Sequence, residues 1–325
     1  MSIKHAIVAA LGMSSLLAIS APQIAVAQSS AVCARTFTIG FSHPHGDAAF
    51  VVALRRQVIL NAKKHGCVNM LIDNTQLDNL ETQRTALESW VTQKVDAIVV
   101  LPVDAKALLG LQKQAQKKGI KWLTYAAPTD GADGSVGFDS IESGQLVGQD
   151  ALEWVKKHYP NGGASAAVTT LPTETAFLGR SKGPIDLFKQ AKLPVVSTQE
   201  CGNTECGLRI AEDALRQNPT LRVFIGFNDD AAMGALRAFT NAKINPDDVY
   251  IAGQDGTEEG LAAVKKGGAY RASAAIDLSK LAQAIVNNSV AAATGESGSN
   301  DQVGTVLATG RDVAGIDRLI AQYKE

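Results

Sequence analysis

Aromatic side chains are scarce in this chain, 5% for Phe, Trp and Tyr together, and neither charge is in surplus. Lys and Arg number 31 against 32 Asp and Glu, a formal net charge of −1. Without a basic excess there is little to draw counterion-release affinity from phosphates, so no nucleic-acid partner is expected. Cysteine is limited to four residues with no C-x-x-C spacing, which disfavours thiol redox chemistry and a paired-ligand zinc site. No G-x-S-x-G, Walker A, G-x-G-x-x-G or H-E-x-x-H occurs, so an enzyme, a metal and a cofactor are not expected. Only one marked apolar run exists, at the N-terminus, and an exported, soluble product is expected.

That run reads as a secretory signal over Met1 to Ala27. Lys4 and His5 form the polar start and Ala6 to Ile19 the apolar stretch. Pro22 interrupts it, and Ala25-Val26-Ala27 presents the small residues a signal peptidase reads. The stretch is too short to span a bilayer, which takes roughly 20 helical residues. All four cysteines, Cys33, Cys67, Cys201 and Cys206, follow the cleavage point. An oxidising compartment favours disulfides, and of three possible connectivities the expected one is Cys33–Cys67 with Cys201–Cys206. Cys33 and Cys67 each precede a predicted strand, and the other two flank a short flexible loop.

The rest alternates between β-branched runs and amphipathic stretches. Thr36–Phe41, Val68–Ile72, Asp96–Leu101 and Lys121–Ala126 read as strands. Between them Val51, Leu54, Val58 and Ala62 mark one helix face, Asn79 to Gln93 a second helix, and Leu108, Leu111 and Ala115 a third. The pattern then repeats. Ala164–Thr170, Pro194–Gln199, Arg222–Phe227, Val249–Gly253 and Arg271–Ala275 are strand candidates. Helices are expected near Glu174–Gln190, Glu205–Gln217, Asp229–Asn241, Glu258–Lys266 and Val313–Tyr323. The fold class is therefore α/β, two doubly wound parallel-sheet lobes with a seam near Phe138–Ser143.

Ligands of doubly wound sheets sit outside the carboxyl ends of strands. Those ends carry His43, His45 and Asp47 after the first strand and Tyr125 on the fourth. In the second half they carry Glu174, Asn228 and Asp255. Acids and amides at repeated strand ends suit polyhydroxylated or amine-bearing molecules. Asp47, Asn228 and Asp255 have an alternative reading as helix caps, and His43 and His45 one as loop residues rather than a metal pair.

The segments Phe227-Asn228-Asp229-Asp230-Ala231-Ala232-Met233-Gly234-Ala235-Leu236 and Ile251-Ala252-Gly253-Gln254-Asp255-Gly256-Thr257, with Asp96 to Pro102, resemble periplasmic sugar-binding proteins of the ribose-binding type. Lactose-repressor-type regulators share that core. The resemblance implies a type I periplasmic binding protein with a three-segment hinge. Its N-terminal lobe would span 28–138 with about 278–303, and its C-terminal lobe 139–276 with about 304–325, with crossings near Phe138, Ile276 and Gly304. It implies a monomer that captures a sugar or sugar-like ligand and delivers it to an ABC permease. A receptor serving a chemoreceptor or sensor kinase is the alternative, and a hydrolase or isomerase using Glu174 or Asp255 a more distant one. A regulator is disfavoured, because the signal segment stands where a DNA-binding element would be. Asn228 and Asp255 match the family's ligand positions. Phe50 falls at its stacking aromatic, and Arg180, ahead of Lys182, at its cationic clamp. Two departures stand out: Ala126-Ala127 replaces the usual Asp-Arg, and Ala48 an Asn. A buried hydroxyl left without a partner costs about 1–3 kcal/mol. Either His43, His45 and Asp47 replace the lost contacts, or the ligand is less hydroxylated or bulkier than ribose.

Overall fold

Nine short runs bounded by polar turns become strands, the central ones among them buried on both faces. The computed structural model describes residues 35–324, apart from 74, 77, 127, 297 and 298. The expected signal segment and Cys33 lie outside the described residues. In chain order the first half comprises β1 (Phe37–Ser42), α1 (Ala49–His65), β2 (Val68–Ile72), α2 (Leu80–Gln93), β3 (Ala97–Val100), α3 (Ala105–Lys117), β4 (Lys121–Tyr125) and β5 (Gly134–Gly137). There follow α4 (Ser140–His158), β6 (Ser165–Thr170), α5 (Gly179–Gln190), β7 (Val195–Glu200), α6 (Thr204–Gln217), β8 (Leu221–Ile225), α7 (Asp229–Asn241), β9 (Tyr250–Asp255), α8 (Glu258–Lys266) and β10 (Tyr270–Ile276). The chain ends with α9 (Leu278–Ala293), β11 (Asn300–Gln302), β12 (Thr305–Thr309) and α10 (Val313–Ala321).

Two six-stranded sheets result, ordered β11-β5-β4-β3-β1-β2 and β12-β10-β9-β8-β6-β7. The first is parallel throughout. The second departs from the expected all-parallel lobe, because β12 pairs antiparallel with β10, Ser273 opposite Ala308. The chain leaves β10 through α9, adds β11 to the edge of the first sheet, and re-enters the second at β12, which runs opposite to β10. Helices cover both faces of each sheet. Ile39, Phe41, Leu54, Val99, Leu281 and Ile285 fill one side of the first, and Leu87, Trp90, Ile98 and Trp122 the other. In the second, Phe224, Ile251 and Phe239 pack on one face and Val168, Phe188 and Val223 on the other.

The chain passes between the sheets three times: from β5 into α4, from β10 into α9, which lies against α1, β3 and β5, and from β11 into β12. The last residues also lean on the first lobe. Gln57 on α1 is fully buried and donates to the Gln322 carbonyl at 2.9 Å. The final helix buries Ile316 and Leu319, whereas Val313 at its start is 43% exposed. The expected single helix from Glu174 to Gln190 divides into a 3-10 turn, Thr175–Phe177, and α5. Glu174 has φ −87° and ψ 69°, outside the helical region. Pro184 sits within α5 and has no N–H for the carbonyl four residues back. That carbonyl, Arg180 O, instead accepts from Gln254 Nε2 at 3.1 Å.

Candidate functional site

Each sheet reverses its strand order once, between β1 and β3 and between β6 and β8, and the loops leaving these strands face one another. Between them lies a cavity of about 370 Å³. Its wall from the first lobe carries His43, His45, Asp47, Ala48, Phe50, Val51, Tyr125 and Phe138. The second lobe contributes Leu171, Glu174, Phe177, Arg180, Gly202, Asn203, Phe227, Asn228, Asp230 and Asp255.

The second wall is built around two charges. Arg180 is 5% exposed, and its guanidinium lies 5.0, 5.2 and 5.5 Å from the ring centroids of Phe138, Phe177 and Phe227. It forms an ion pair with Asp255, and its Nε is buried without a partner. Burial pushes the Asp255 carboxyl up from its ordinary value, and Arg180 pulls it partly back. Asp255 holds a φ of +104°, a region that L residues rarely occupy. The turn is fixed from behind by Asp229, which is fully buried. Its carboxylate accepts from Thr257 N at 2.6 Å, Thr257 Oγ1 at 3.0 Å, Tyr270 OH at 2.7 Å and Ser273 Oγ at 2.7 Å. Burial, then the nearby Asp255 charge, push Asp229 up to about 7 against those hydrogen bonds. Gly256 follows at φ +71°, where a Cβ would lie 2.4 Å from that of Ala275, so this position of the turn requires glycine.

The first wall is fixed by a cation. Arg55 on α1 donates to the carbonyls of Gly46 and His43 at 3.1 and 3.2 Å, and to Asp73 at 3.0 Å. Ser42 and Thr75 donate to the same Asp73 at 2.5 and 2.7 Å. His43 is buried, and burial first, then the charges of His45 and Arg55, hold its imidazole well below the usual pKa. It is neutral, and because Nδ1 accepts from His45 N at 3.2 Å the ring proton sits on Nε2. His45 reaches across the cleft, its Nε2 2.8 Å from Glu174 Oε1. Burial lowers its pKa, but the hydrogen bond and charge of Glu174 outweigh this, with Asp78 and Asp47 adding to the rise. Donor atoms of His45, Asp78 and Glu174 lie within 4.8 Å of one another. A cation there would replace the direct bond between His45 and Glu174.

All nine expected ligand positions, His43, His45, Asp47, Phe50, Tyr125, Glu174, Arg180, Asn228 and Asp255, line this one cavity. The capping alternative divides them. Asn228 does cap α7, its Oδ1 accepting from Ala231 N at 2.9 Å and its Nδ2 donating to Gly202 O at 2.8 Å. Asp47 and Asp255 cap nothing, for Ala48 holds the N-cap position of α1 without a side-chain bond and Thr257 caps α8. Lys182, the second choice for the clamp, is exposed and pairs with Asp186 on its own helix. Cys201–Cys206 is a disulfide with Cα atoms 5.6 Å apart, and it staples the loop that presents Gly202 and Asn203. Cys67 is disulfide-bonded. Phe138, Phe177, Phe227 and Asp230 were not among the expected residues. Phe227 and Asp230 flank Asn228 in the motif and were within reach of it, whereas nothing local marks Phe177.

The arrangement holds hydrogen-bonding groups on both walls, an aromatic side and, among the described residues, no nucleophile paired with a base. The sequence profile of the periplasmic binding protein domain matches residues 39–297. The chain belongs to that family. Members of the family are receptors rather than enzymes. A ribose import binding protein of Bacillus subtilis (strain 168) is 27% identical over 234 residues, 71% of this chain and 73% of the relative. A galactofuranose-binding protein of Escherichia coli (strain K12) is 27% identical over 276 residues, 81% of this chain and 83% of the relative. The Caulobacter myo-inositol binding protein, solved with myo-inositol, superposes with a TM-score of 0.75 at 25% identity, over 87% of this chain and 96% of that one. Type I architecture, two sheets flanked by helices, is common to the family and this chain.

Proposed function

We propose that this chain is the solute receptor of an ABC importer and that its ligand is a sugar or polyol ring held in the cavity between the lobes. The observation that carries the reading is the pairing of Arg180 with Asp255 at the carboxyl end of β9, across the cavity from Phe50 and His43. A donor fork beside an acceptor carboxylate suits adjacent ring hydroxyls, and a phenyl face suits the ring's C–H surface. Only the closed form offers both walls at once, so ligand shifts the population toward closure. The passages at 138–139, 277 and 303–304 are the hinge, dividing a lobe of 28–138 with about 278–303 from one of 139–276 with about 304–325. Residues 1–27 direct export to the periplasm and are removed, and the monomer delivers its ligand to the permease.

A thermal-shift screen over pentoses, hexoses and cyclitols tests this, followed by small-angle scattering on any hit. A rise in melting temperature with a fall in radius of gyration is the expected result. Absence of both across the panel overturns it.

A further inference from the structure

The charges lining the cavity do not balance. Four carboxylates, Asp47, Glu174, Asp230 and Asp255, face two cations, Arg180 and His45. Both cations are already engaged, Arg180 by Asp255 and His45 by Glu174. Asp47 is exposed at the rim and solvated. Asp230 is different: half-buried on the first turn of α7, it has no hydrogen bond or ion pair within the described residues. Burial pushes its carboxyl up to about 6, and the charges of Asp255 on β9 and Glu259 on α8 add to this. Arg56 lines the adjoining groove together with Asp230, Glu258, Glu259 and Tyr323. Its guanidinium bonds to the Tyr323 carbonyl at 3.3 Å and forms no ion pair with Asp230.

A carboxylate so placed is stabilised by a positive charge brought into the cavity, and it is held by no protein cation that would have to be displaced. The helix terminus alone does not account for it, since Asp229 on the same turn has every acceptor site filled. We infer that the preferred ligand is an amine-bearing sugar or cyclitol whose ammonium group pairs with Asp230. This rests on the proposed sugar-receptor reading and narrows it. The ring hydroxyls fall to Arg180 and Asp255, which remain paired, and the ammonium makes a charge-assisted bond in a partly desolvated site.

The test is calorimetric titration of the mature protein with matched pairs: D-glucose and D-glucosamine, D-galactose and D-galactosamine, myo-inositol and an amino-deoxyinositol. The N-acetylated amines serve as uncharged controls. At least one amine is expected to bind tenfold or more tightly than its neutral and N-acetylated partners. Asp230→Asn should cut that ratio to threefold or less, with an unchanged circular dichroism spectrum. Neutral members binding as tightly as the amines in every pair overturns the inference but leaves the sugar-receptor reading standing. An amine preference that survives Asp230→Asn also overturns it. If no sugar or cyclitol of either kind binds, both readings fall together.

Discussion

The two walls of the cavity are held by opposite means. Behind the first, the Arg55 cation draws in the carbonyls of His43 and Gly46. Behind the second, the Asp229 anion collects one N–H and three hydroxyls. The side chains they support differ accordingly. On the second wall Arg180 is caged by three rings and paired with Asp255, and Asn228 is tied at both ends of its amide. On the first, His45 is held across the gap and Asp47 by nothing within the described residues. The second wall is thus a template preset by the protein's own bonds, and in the proposed closure the first would complete the site. Preset donors and acceptors lose little entropy on binding, so selectivity should concentrate there.

Asp255→Ala should break the template most severely. Removing one partner of a buried ion pair costs about 3–5 kcal/mol, and here the orphaned Arg180 faces the ligand. Affinity should drop more than a hundredfold by calorimetry, with the fold retained by circular dichroism. Retained ligand-induced thermal stabilisation would count against the site. Asp229→Ala strikes the support instead and leaves buried hydroxyls unsatisfied. A loss of about 3 kcal/mol in urea unfolding is expected, exceeding that of Arg55→Ala, whose partner Asp73 keeps its bonds to Ser42 and Thr75. Equal losses would erase the distinction between the walls. His45→Ala removes the cross-cleft bond to Glu174 and the longer 3.7 Å ion pair with the more exposed Asp78, so affinity should weaken by at most about tenfold, the scale of one net hydrogen bond. The ranking of ligands should not change.

The smallest effect is expected from pH. Asp230, raised to about 6, is charged above that value and neutral below it. Binding of an amine ligand should therefore weaken severalfold as pH falls from 7 to 5, while a neutral ring shows a flatter profile. Asp230→Asn should flatten the first curve too.

Strands buried on both faces could be read directly, β3 with four consecutive buried residues being the plainest case. Those that escaped are β5, four residues with glycine at both ends, the wholly exposed β11, and the antiparallel β12. Two helices also lacked a legible stripe. The buried face of α4 includes Ser143, Gly144, Gly148 and Ala151, because α5 approaches so closely that a Cβ on Gly144 would lie 2.6 Å from Gly179 O. Alanine and serine similarly dilute the stripe of α9. Of the nine proposed site residues, His43, His45, Asp47, Tyr125, Glu174, Asn228 and Asp255 could be placed on one cavity because strand ends converge on the switch points. Phe50 and Arg180, on helices, were reached through the family resemblance. The aromatic cage was not, since Phe138, Phe177 and Phe227 come from three separate loops that only the tertiary fold assembles.

The positive φ of Asp255 sets a trade-off between robustness and recognition. Glycine accepts +104° without strain, so Asp255→Gly relaxes the backbone while deleting the carboxylate proposed to bind the ligand. An acid held in a glycine conformation thus sets capture against durability, and it gives protein engineers a ready starting point for a ligand-blind scaffold of the same shape.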